Sequence, residues 1–137
     1  MSYGVALALQ AAVYQHLVAD AAVVALVGSS VFDEVPSGSV PSTYVTLGPE
    51  IALDRSDKST SGAEHRFTIS VVTDVAGFGT AKSVGVAVSD ALHNNQGLVL
   101  ARGHLVMLQF ERATASREQA ANLRRIDLRF RARVEDI

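Results

Sequence analysis

The chain has 137 residues, 48% of them hydrophobic, and no cysteine. That length and apolar content support one folded domain and exclude a disordered chain, and the missing thiols exclude disulfides and thiolate metal sites. A net charge of −2 predicts neither nucleic-acid nor membrane binding.

The charge is unevenly placed. Residues 1–50 hold no Lys or Arg, whereas eight of the 12 basic residues lie from Arg102 onward. Opposite charge at different places on one surface suits head-to-tail self-association. The plainer alternative is chance segregation along a short chain.

Residues 3–19 read as a helix with Ser2 as N-cap. Val5, Leu9, Ala12, Val13, His16 and Leu17 recur at three- and four-residue steps as one apolar stripe. No Lys or Arg precedes Arg55, and Gln10, Gln15, His16 and Asp20 break the apolar run, so neither a signal peptide nor a membrane helix is expected. Asp20 reads as a second N-cap, opening a short helix over 21–27 that Gly28 stops.

Residues 31–35 read as a short strand closed by Pro36. A turn-rich loop follows at 37–42, and residues 44–47 make a strong strand. Gly48 and Pro49 predict a bulge, after which 50–54 continue the strand. Residues 55–62, with no apolar side chain before Gly62, read as an exposed, mobile hairpin loop. The strand at 63–74 puts His65, Phe67, Ile69 and Val71 on one face.

Gly77 and Gly79 lead into a second main helix with Thr80 as N-cap candidate. Its apolar stripe is Ala81, Val84, Ala87, Val88, Ala91 and Leu92, and Asn94, Asn95 and Gly97 end it. Arg102-Gly103 reads as a tight turn between strands at 98–100 and 104–113. Residues 114–122 read as a polar connection. The last strand, 123–135, alternates cleanly: Ile126, Leu128, Phe130, Ala132 and Val134 point inward, Arg125, Asp127, Arg129, Arg131 and Arg133 outward. The order predicts a single α+β domain over 1–137: an antiparallel (mixed) sheet with two main helices packed on one face.

Residue patterns for catalysis are thin. His16, His65, His93 and His104 show no metal-ligand spacing; His16 suits a partly buried core position, and His65 and His104, each opening a strand, are candidates to meet across the sheet. Gly77-Phe-Gly-Thr-Ala-Lys82 lacks the spacing of a phosphate loop and reads as a helix entry. Ser56, Ser59 and Ser61 have no nucleophile elbow. No catalytic residue, cofactor or metal is expected.

The outward arginines Arg125, Arg129, Arg131 and Arg133 admit three readings. They are a solvated sheet face, a subunit interface meeting a neighbour's carboxylates, or a contact to a DNA backbone. The acidic net charge and the lack of interleaved aromatics weigh against a dedicated DNA binder. Asp54, Arg55, Asp57 and Lys58 of the first loop, and Arg117 and Glu118 of the 114–122 connection, complete the interface candidates. Solvent-exposed hairpin tips are the bland alternative for both.

Several segments together carry a resemblance: DAAVVALVG at 20–28, VFDEVP at 31–36, PSTYVTLG at 41–48, AEHRFTI at 63–69, the helix with Ala91-Leu92, and LRFRA at 128–132. In order and spacing the chain resembles the small tail completion proteins of siphophages, prophages and gene transfer agents. It departs at Val72-Thr73-Asp74, where members often carry an aromatic, which touches no functional residue. The resemblance implies a fold similar to the lambda tail terminator and a structural, non-enzymatic role. It further implies a homohexameric ring that caps the tail tube, with the major tail tube protein and the head–tail connector or stopper as partners. DNA would pass through the lumen without specific binding. The place implied is the tail or neck of a particle assembled in a bacterial cytoplasm, with no membrane involved. Another neck component is the near alternative; a small ligand-binding or enzymatic α+β oligomer is the distant one.

Overall fold

The computed structural model describes residues 3–59, 61–95 and 97–136. Helix α1 (Ala6–Ala19) is followed by α2 (Ala21–Val27), strands β1 (Val31–Phe32), β2 (Thr43–Asp54) and β3 (Ser61–Thr73), helix α3 (Gly79–Leu92), and strands β4 (His104–Glu118) and β5 (Leu123–Asp136). The strands form one sheet in the order β1-β2-β3-β5-β4, with β1 parallel to β2 and every other pairing antiparallel. This is the expected α+β architecture, and α2 is the short helix expected over 21–27. No single helix among the described residues is long and apolar enough to cross a membrane; α1 and α2 bend by 71° at Asp20.

The helices lie on one face because that face carries the contiguous apolar cluster of the sheet. Val45, Phe67, Ile69, Val71, Ile126, Leu128, Phe130, Ala132 and Val134 are buried against Leu9, Val13, Leu17, Val23, Val84, Val88 and Leu92 from the helices. Each fully buried side chain of this size contributes about 1.5–3 kcal/mol. Phe130 is the centre: its ring stacks on Phe67 at 5.7 Å and meets the edge of Phe110 at 5.9 Å.

Local signals explain most boundaries. Asp20 caps α2 by accepting from the Val23 N–H at 3.1 Å, and Gly28, at φ +60°, stops it. The Gly48-Pro49 bulge is present, between Leu47 and Glu50 in the β2–β3 register. The strand at β5 alternates buried and half-buried residues along its length.

Other boundaries differ from the expectation. Helix α1 starts at Ala6, not residue 3, with Val5 as an uncapped first position; Ser2 lies outside the described residues. Tyr3 instead forms a turn with Ala6 and donates its hydroxyl to Glu50 at 3.3 Å. Strand β1 ends at Phe32, because residues 33–34 bend away before Pro36. Phe78, not Thr80, is the N-cap position of α3, and it makes no side-chain cap; Thr80 lies inside the first turn.

The expected hairpin around Arg102-Gly103 is absent. Residues 98–100 form no strand: Leu100 is buried and Leu98 packs partly on the core. Gly103 is still required there, at φ +79°, because a Cβ would come within 2.7 Å of the Glu135 carbonyl and the Val5 side chain. The partner of β4 is β5 throughout, and β4 runs to Glu118, so residues 114–118 are strand rather than connection. That outer half escaped the periodicity reading because residues 111–118 are exposed on both faces, which removes the demand for alternation.

Candidate assembly surfaces

On the sheet face away from the helices, cross-strand register brings Thr68, Arg129 and Arg112 into one row, Ser70, Asp127 and Thr114 into the next, and Arg66, Arg131 and Gln109 into a third. The extra residue between Phe110 and Arg112 is a bulge, and it lets Glu111 reach Arg129 Nε at 3.3 Å. Arg125 Nε lies 2.9 Å from Asp127 Oδ1, and its Nη2 donates to Ser70 Oγ at 3.2 Å; Ser70 in turn donates to Asp127 at 2.6 Å. Glu118 is a further 3.8 Å contact of Arg125.

The four outward arginines of β5, Arg125, Arg129, Arg131 and Arg133, therefore divide. Arg125 and Arg129 spend their charge on carboxylates of the same chain. Arg131 reaches only the Gln109 amide oxygen at 3.3 Å, and Arg133 only the Arg55 carbonyl at 3.4 Å. Neither forms an ion pair among the described residues.

The two loop sets lie at opposite ends of the sheet. The β2–β3 loop stands where Ser61 pairs with Asp136, and the β4–β5 turn where Thr73 pairs with Arg124. The first loop is tied together internally. Asp54 Oδ1 accepts from Ser56 N and Oγ, at 3.1 and 2.6 Å, and these bonds hold its carboxyl below the usual carboxylate range. Asp57 Oδ1 likewise accepts from Ser59 N at 2.8 Å, and Arg55 N donates to the Gly62 carbonyl. The expected exposed loop is thus closed by its own turns, and Lys58 is exposed. At the other end, Arg117 and Glu118 are exposed beside a turn in which Asn122, at φ +53°, donates to the Gln119 carbonyl.

The histidines do not assemble a site. His65 and His104 occupy different rungs: His65 pairs with Ala132, and His104 with Glu135. His65 is fully buried beneath Tyr3, with Glu50 Oε2 3.2 Å from Nδ1 but out of hydrogen-bond alignment. His16 is half-buried, and its Nε2 contacts Asn95 at 3.0 Å, joining α1 to the end of α3. His93 Nδ1 accepts from Phe110 N at 3.0 Å, which ties the same helix end to β4. Among the described residues no cluster of His, Asp or Glu has the makings of a metal site.

A sheet with polar rows and turn-closed loop ends offers surfaces for contact. Comparison with known proteins agrees. The family model described as tail completion protein gp17 matches residues 11–135. The chain belongs to the tail completion protein family. It is a structural component of a phage-type tail and not an enzyme. A chain in the solved structure "Virion of native gene transfer agent (GTA) particle" is 61% identical, with a TM-score of 0.92, covering 98% of this chain and 99% of that one. No curated protein sequence matches. Family membership also accounts for the thin chemistry: a tail component needs faces and edges, and this fold keeps its histidines inside or at element ends.

Proposed function

We propose that this chain is the tail terminator of a gene-transfer-agent-like or phage particle: a homohexameric ring that caps the tail tube and joins it to the head connector. The observation that carries the reading is the 61% identity, over nearly the whole of both chains, to a chain of a gene transfer agent virion. The arrangement of candidate residues supports it. Asp54, Arg55, Asp57 and Lys58 stand at one end of the sheet, Arg117 and Glu118 at the other, so one subunit can touch a tube ring below and a connector above. Arg131 and Arg133 are the members of the arginine row still able to meet a neighbour's carboxylates. A lumen that passes DNA is served by arginines already neutralised in part, because strong phosphate contacts would slow transit.

The test is deletion of the gene in its particle-producing host, with tails measured by electron microscopy. A terminator predicts tubes of uncontrolled length that fail to join heads, restored by the wild-type gene. Tubes of normal length left unattached would indicate a connector role and refute termination. In the complemented strain, Arg131→Glu/Arg133→Glu is expected to lower particle yield while the purified chain keeps its melting temperature. Unchanged yield would remove these two residues from the interface.

A further inference from the structure

We propose that neighbouring copies join edge to edge: a groove between α3 and the outer half of β4 receives the α2–β1 edge of the next copy. This rests on the ring reading above and adds the surfaces that would close it.

The first edge is unfinished in three ways. The outer side of β4 is covered at Leu108, whose carbonyl accepts from Asn94 N, and at Phe110, whose N–H is taken by His93. Beyond that point, from Arg112 to Glu118, no strand among the described residues pairs with the side of β4 turned away from β5. A long unpaired edge is a template for another chain, and proteins ordinarily cover or blunt it. Beside this stretch runs an apolar groove of about 390 Å³, lined by Gly85, Val86, Phe110, Ala113, Ala115 and Leu128, with Val86 59% exposed although it sits on the helix that builds the core. Its rim is basic. Lys82 lines it, and Arg117 follows Ala115 on the same strand face. The acids of β4 do not offset this, because Glu111 and Glu118 lie against Arg129 and Arg125. The acid of α3, Asp90, is about two turns away from Lys82.

The opposite edge has the complementary character. Helix α2 leaves Val24 and Leu26 exposed, at 41% and 46%. The acids flanking this segment in sequence are Asp20, before the helix, and Asp33, which accepts from Gln10 at 2.8 Å, and Glu34, directly after β1; no Lys or Arg occurs in the first 50 residues. An apolar segment bounded by acids therefore faces outward on one side of the subunit, and an apolar groove bounded by bases on the other. Two patches of different kind give a head-to-tail contact, the type that closes into rings.

The register adds that the two edges stand at one level. Val31 pairs with Val45, Val45 with Val71, Val71 with Ile126, and Ile126 with Ala115, so a single rung of the sheet runs from β1 to the groove. Copies joined along such a rung advance around an axis with little rise, which favours closure over an open helix.

The experiment uses the full-length chain, alone and with its own tail tubes. One variant carries Lys82→Glu/Arg117→Glu, so that both edges are acidic; the other carries Asp33→Lys/Glu34→Lys, so that both are basic. Each alone is expected to lose ring formation at least tenfold, by light scattering in solution and by electron microscopy on tubes. A one-to-one mixture is expected to regain it, as an alternating ring. Either variant forming rings as well as wild type, or a mixture no better than its components, overturns the proposal.

Because the chain has no cysteine, Ala115→Cys mixed with Leu26→Cys gives a second measurement with a short bismaleimide. Heterodimers are expected in excess of either homodimer. A dominant Ala115→Cys homodimer would mean a two-fold contact and sink the edge pairing, while leaving self-association intact. A wild-type chain that forms no ring in solution or on tubes would instead refute the ring reading itself, and this inference with it.

Discussion

Replacing Gly85 by alanine is expected to stabilise the isolated chain. Gly85 is buried midway along α3, where glycine costs about 0.8–1.0 kcal/mol relative to alanine through backbone entropy. Buried small-to-large changes usually fail on sterics, but here the added Cβ would meet Leu128 and Ile126 at 3.9–4.0 Å, ordinary van der Waals contact. The methyl also covers apolar surface, so the gain is about 1 kcal/mol or slightly more. At roughly 2.1 cal/mol/K per residue, 137 residues convert 1 kcal/mol into about 3.5 °C of melting temperature. Urea and thermal unfolding by circular dichroism, at a concentration where the chain is monomeric, measure it. An unchanged or lower midpoint would refute the packing argument. The larger Gly85→Leu fills the groove and is expected to impair ring formation, a result the monomer's unfolding curve would not report.

Phe130→Ala is expected to cost about 3–5 kcal/mol, a large share of a domain's stability, because the ring is fully buried between Phe67 and Phe110. A loss under about 1 kcal/mol in urea unfolding would contradict its central place. Asp20→Ala should lose about 1 kcal/mol by uncapping α2, and Asp20→Asn most of that loss less, since the amide oxygen still accepts from Val23 N. Asp136 is held below the usual carboxylate range by two hydrogen bonds from Arg102, at 3.0 and 2.7 Å. Its contribution is therefore present above the unfolded value of about 3.9 and fades as pH falls through the lower folded value. Melting temperature followed from pH 6 down to pH 2 should fall less steeply in Asp136→Asn; an identical slope would show that the pair is not linked to folding.

The parts of this fold that could be read from residues are those where one physical demand acts alone. Strand β5 alternates because its inner side faces the helices and its outer side water. Helix α2 carries its start and stop in Asp20 and Gly28. Where two demands compete, the residue pattern points elsewhere than the fold. Leu98 and Leu100 look like strand residues, but they pack on the core while Arg102 is held by Asp136. Residues 114–118 look like loop, because a strand exposed on both faces has no pattern to show. The interface candidates were legible as charged, outward residues, yet their pairing was not. Which arginine finds a carboxylate depends on a bulge that admits Glu111 and on Ser70 bridging to Asp127 from a strand far away in sequence. The groove beside β4 has no signature along the chain for a similar reason. Val86 breaks the stripe of α3 and Ala113 and Ala115 alternate, but only the fold sets the two side by side.

Chain order and sheet order together give the subunit three distinct directions. From edge to edge, the sheet runs from the N-terminal strands, which are free of basic residues before Arg55, to β4 with Arg112 and Arg117; charge segregated along the chain becomes charge segregated across the molecule. From end to end, it runs from the turn-closed loop holding Asp54 and Lys58 to the β4–β5 tip. From face to face, it runs from the helical layer to the arginine rows. In the proposed ring, lateral contacts between copies and axial contacts to other components must be made at once without interfering. Placing the first on the edges and the second on the ends satisfies both, because a side chain at Lys82 or Arg117 can be altered for one neighbour without moving the loop at Asp54. The cost falls on the monomer, which leaves Val86, Val24 and Leu26 in water and a glycine inside a helix. Those are the positions where stability gained by substitution should trade against assembly.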